Sequence, residues 1–122
     1  MRLLRKSTLA VLLLLSALSE AAIVNSSCQT VTGIENAIAG SNYFTVFLSP
    51  GISGCGTGGY SFSIFIIGTN GVTSTNINSV YATALTAYTT GHQISIQYDN
   101  STASCYGETI AIGAGLVGGN CN

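Results

Sequence analysis

From Tyr43 to Leu48 the chain reads YFTVFL, with Gly40, Ser41 and Asn42 before it and Pro50 and Gly51 after. Aromatic and branched residues with turn formers at both ends predict a strand. A second strand is predicted over YSFSIFII, Tyr60 to Ile67, with Phe62, Ile64 and Ile66 on one face. Between them SPGISGCGTGG reads as a long glycine-rich hairpin loop that Cys55 can tether. Upstream, TVTGIENAIAG (Thr30 to Gly40) is a less regular strand candidate.

The period then changes. In NINSVYATALTAYTTG, Ile77, Val80, Tyr81, Ala84, Leu85 and Tyr88 recur at three- and four-residue steps, which is one helical stripe. Asn76 or Asn78 can cap the start, and Gly91 stands where a left-handed C′ residue belongs. The spacing predicts a helix from about Ile77 to Thr90, its other face small and uncharged.

HQISIQYD then alternates, with His92, Ile94, Ile96 and Tyr98 on one side and Gln93, Ser95, Gln97 and Asp99 on the other. This predicts a strand opening at His92. After the turn DNSTAS, CYGETIAIGAGL supplies a last strand with Ile110 and Ile112 inward. The order β-β-β-α-β-β is that of the OB-fold, a five-stranded, partly open barrel. A ferredoxin-like fold would need a helix after the first strand. An immunoglobulin-like sandwich would need more strands and no strong helix.

The first residues change the picture at one end only. Arg2, Arg5 and Lys6, the apolar run LAVLLLLSAL and then small Ser19 and Ala21 form the pattern of a cleaved export signal. An apolar run of about ten residues is too short for a bilayer, which needs about twenty. The expected division is a signal peptide over 1–22 and one OB-fold-like secreted or periplasmic domain over 23–122, with no membrane span.

Cleavage there removes every Lys and Arg and leaves Glu35, Asp99 and Glu108 as the only full charges. Without a base the domain has nothing to neutralise phosphates, so nucleic acid is excluded as a partner. Solubility then rests on Ser, Thr, Asn and Gly, a surface suited to hydrogen-bonding partners such as sugars. Cys28, Cys55, Cys105 and Cys121 are an even set without a C-x-x-C pair, and one histidine cannot complete a zinc site. They read as two disulfides, for which three pairings exist. No metal and no cofactor is expected.

His92 and Asp99 tempt a catalytic reading. Seven residues apart on one strand, they would face opposite sides about 23 Å apart. GCGTGGY matches G-x-G-x-x-G, but strands rather than a strand and a helix flank it, so it is a loop. No catalytic residue is assigned. The candidate ligand-binding residues are Ser41, Asn42, Tyr43, Tyr60, Asn100, Ser101 and Thr102, from loops that rim the binding face of an OB-fold and from tyrosines able to stack on sugar rings. Tyr106 could stack as well, whereas Tyr98 fits the core.

The helix ending in Ala87, Thr90 and Gly91, the alternating strand with Tyr98 and Asp99, and Cys105 in the following turn form one ordered pattern. With the upstream YFTVFL … C … YSFSIFII it resembles small secreted B-subunit-like proteins of the subtilase cytotoxin type, and more distantly pertussis-type B subunits. The resemblance implies an OB-fold, Cys55–Cys105 and Cys28–Cys121 disulfides, and recognition of a host glycan or receptor by a homo-pentamer that carries a catalytic A subunit. The expected function is therefore a secreted, non-enzymatic binding domain. The alternatives are a pilin-like envelope protein without a glycan ligand and, further off, a small hydrolase.

Overall fold

The computed structural model describes residues 22–36, 42–113 and 120–122. Strands β1 (Ile23–Asn25), β2 (Thr30–Asn36), β3 (Tyr43–Ser49) and β4 (Ser61–Ile66) precede helix α1 (Ile77–Thr90), and β5 (Ile94–Asp99) and β6 (Gly107–Ile112) follow it. The fold is mainly β with one helix. The predicted strand and helix order holds for β2 to β6. What sequence reading missed is β1, three residues and too short for an alternation to register.

The strands form two antiparallel sheets of three, β2-β3-β4 and β1-β5-β6, and these do not close into a barrel. On one side the chain passes from sheet to sheet. Ser26 N–H donates to Ile96 O at 2.8 Å, and Gln29 exchanges both backbone bonds with Ile94 at 2.7 and 2.8 Å before Thr30 joins β3. On the other side β4 packs against β6 without pairing with it and hydrogen-bonds instead to the turn before β6, Ile64 N–H donating to Ser104 O at 3.2 Å. Ser63 Oγ adds a 2.6 Å bond to Cys105 O. α1 packs on both β2 and β6, filling the gap that strand pairing would otherwise close.

β3 explains the core. Phe44, Val46 and Leu48 alternate inward and are buried. Phe44 stacks on Phe65 of β4 at 5.0 Å and meets Tyr81 of α1 edge-on at 5.3 Å. Ile94, Ile96 and Tyr98 of β5 complete this core. On β4 the inward positions are Ser63 and Phe65. Phe62, Ile64 and Ile66 therefore share the opposite, outer face.

Three details differ from the expected pattern. Ala84 and Ala87 are the buried helix positions, while Leu85 and Tyr88 stay 41% and 50% exposed. Both sets have helical spacing, and the small pair wins because it lets the helix approach the sheets closely. Asn76 is the N-cap by position only, for its Oδ1 accepts from Thr73 N–H at 2.8 Å instead of capping the helix. Ile112, expected inward, lies at the end of β6 and is 36% exposed.

Gly91 ends the helix at φ 75°, its N–H on Ala87 O at 2.9 Å. His92 and Gln93 then carry the chain across to the sheet, so β5 begins at Ile94 and not at His92. A left-handed C′ residue reverses the chain, and the link back to the sheet takes those two residues.

The disulfides are Cys28–Cys121 and Cys55–Cys105, the pairs the resemblance implies. Such bonds belong to an oxidising compartment outside the cytoplasm. Among the described residues no helix is long and apolar enough to cross a membrane. The expected signal segment, apart from Ala22, lies outside the described residues.

Tyr98 is 8% exposed, and burial pushes its phenol above the ordinary tyrosine range. A pKa raised in the folded state favours folding only while the phenol is protonated. Stability is thus expected to be intact below pH about 10 and to fall as pH rises through that value. Tyr98→Phe should flatten this alkaline loss in urea titrations run at a series of pH values. An unchanged alkaline slope would assign the loss to another group.

Candidate functional site

The outer face of the β2-β3-β4 sheet carries the side chains that the core does not use. Its register sets Gly33, Phe47 and Phe62 in one row across the three strands and Glu35, Thr45 and Ile64 in the next. Tyr43 and Ile66 form a third row. Around the middle row these groups other than Gly33, with Tyr106, wall a groove of about 340 Å³. Thr45 lies within it and is only 6% exposed.

A second hollow of about 390 Å³ lies beside it, lined by Thr32, Gly33, Phe47 and Tyr60. Phe47 is the wall between the two. Its ring meets Phe62 at 5.9 Å and Tyr60 at 6.2 Å, both edge to face. The hollow exists because β2 shifts register between Val31 and Gly33, and because Gly33 has no side chain to set against Phe47. Tyr60 is 69% exposed and Tyr43 37%, so rings stand free at two points. Tyr106 enters from the β5–β6 turn, its carbonyl held by Asp99 N–H and by Asn70 Nδ2, each at 2.9 Å.

The structure brings together part of the predicted set. Tyr43 and Tyr60 lie on this face, one in each hollow. Asn42 instead lines a third cleft, of about 330 Å³, between the start of β3 and α1. Ser41 lies outside the described residues. Asn100, Ser101 and Thr102 are exposed in the β5–β6 turn and line none of these hollows. Their backbone shapes the turn, Ser101 N–H donating to Asp99 Oδ1 at 2.8 Å and Cys105 N–H to Thr102 O at 3.1 Å. Sequence reading missed Phe47, Phe62, Thr45 and Glu35 as one surface. The signal was present in β3, where Tyr43 and Phe47 lie on the face opposite Phe44, Val46 and Leu48, and one core cannot take both faces.

The three carboxylates stand on three strands, β2, β5 and β6. Asp99 is 7% exposed and used by its own turn. Glu108 is half-buried on β6, and Glu35 is exposed on β2. His92 is exposed and off the strand. Among the described residues no three potential ligands gather as a metal site. GCGTGGY is the loop between β3 and β4, with Cys55 bonded to Cys105 and Gly56 N–H on Ala103 O at 2.7 Å. The chain was compared with family models, curated proteins and solved structures, and none matches.

Proposed function

We propose that this protein is an exported, non-enzymatic binding domain that recognises carbohydrate, such as a host-surface glycan, on the outer face of β2-β3-β4. The observation that carries the reading is the pair of ring-walled hollows sharing Phe47. Sugars present flat C–H faces that pack on aromatic rings, and a few polar groups such as Thr45 and Glu35 orient their hydroxyls. The order of β2 to β6, with a helix in the gap between sheets, supports an opened relative of the OB-fold, whose sheet face binds oligosaccharides. The non-enzymatic part of the reading is supported by Asp99 being used by its own turn and by His92 lying exposed off the strand.

A glycan array probed with oxidised protein displayed at high valency tests the reading. Binding is expected, with Tyr60→Ala weakening it about tenfold, the loss of one well-packed anchor. Tyr60 is exposed enough for its removal to leave the core intact. An array without a single bound glycan would overturn the proposal.

A further inference from the structure

The groove has a sign. Beyond Lys6 the chain contains no Lys or Arg, so a ligand's negative charge finds no side-chain cation to meet. Of the carboxylates, Asp99 is buried in its turn and Glu108 is half-buried on the other sheet. Glu35 is exposed, lines the groove, and makes no side-chain hydrogen bond among the described residues. The register sets it across from Thr45, whose strand neighbours on the same face are Tyr43 and Phe47. A free carboxylate beside aromatic faces is the pairing that attracts an ammonium group, by charge and by the negative ring face together.

We infer that the groove takes a sugar bearing a protonated amine, a hexosamine with its nitrogen unacetylated, in preference to neutral or acidic sugars. This rests on the carbohydrate reading and adds the charge of the ligand to it. The ammonium lies against Glu35 while the pyranose face packs on the rings of Phe47, Phe62 and Tyr43. An acidic sugar is disfavoured by Glu35 at contact, and the domain has no Lys or Arg to offset that repulsion.

The test uses glucosamine oligosaccharides of one length, fully N-acetylated or fully free-amine, and a sialylated oligosaccharide, in weakly acidic buffer that keeps the sugar amine protonated. The free-amine form is expected to bind about tenfold tighter than the acetylated form, the combined effect of an exposed ion pair and a cation–ring contact. The gap should narrow as salt is raised. Glu35→Gln, which keeps a hydrogen-bonding head group and loses the charge, should abolish the preference for the free-amine form. Equal binding of the two forms, a preference that survives Glu35→Gln, or tighter sialylated binding would overturn the inference and leave the carbohydrate reading standing. Silence on all three probes with a positive glycan array would do the same. Silence on the array as well removes both.

Discussion

Replacing Cys28 and Cys121 together by alanine is expected to cost about 4 to 5 kcal/mol of folding stability. The bridge spans 93 residues, and freeing a loop of that length restores about this much chain entropy to the unfolded state. A domain of this size has a total stability of about 5 to 15 kcal/mol, so the variant should sit near its unfolding threshold. Urea titration is the measurement. The midpoint should drop sharply, and the slope should rise because an unlinked unfolded chain exposes more surface. The Cys55–Cys105 bridge closes 50 residues and carries nearly the same entropy. It also ties the β3–β4 loop to the turn that precedes Tyr106, so its loss should loosen the groove wall. A midpoint indifferent to the Cys28–Cys121 pair would show that this bond constrains nothing.

Gly107→Ala is expected to destabilise by about 3 kcal/mol, at the upper end of overpacking costs. A Cβ at Gly107 would run into the ring of Phe65. That ring cannot retreat, because it is fully buried and stacked on Phe44 with only 8° between planes. Gly33→Ala is the contrast, since its Cβ would lie 3.6 Å from Phe47, an ordinary contact. It should be close to neutral for stability. Phe65→Leu in the Gly107→Ala background should cost less than in the parent, a coupling that a double-mutant cycle reads directly. Equal losses in both backgrounds would place the strain elsewhere.

Much of this architecture was legible in the residues. The run of Phe44, Val46 and Leu48 between turn formers and the three- and four-residue period ending at Gly91 mark elements that the structure contains, the helix with the same bounds. What could not be read was the choice between two acceptable faces. Leu85 and Tyr88 satisfy a helical stripe as well as Ala87 does, and only the closeness of the sheets selects the alanine. The same ambiguity hid the groove. Phe62, Ile64 and Ile66 look like a core row by composition, and their outward placement follows from Ser63 and Phe65 being needed inside. Barrel closure is likewise decided where β4 bonds to the turn before β6 instead of pairing with β6, and no local pattern encodes it.

The exposed side of α1 has a consequence for water. The hydroxyls of Thr83, Thr86, Thr89 and Thr90 each donate to a carbonyl one turn back, at 2.7 to 3.0 Å. Their protons are spent, while their oxygen lone pairs still face outward. Beside Leu85 and Tyr88, this helix side offers solvent mostly acceptors, so its hydration shell must turn hydrogens toward the protein. A surface polar by composition is thereby one-sided in what it can exchange.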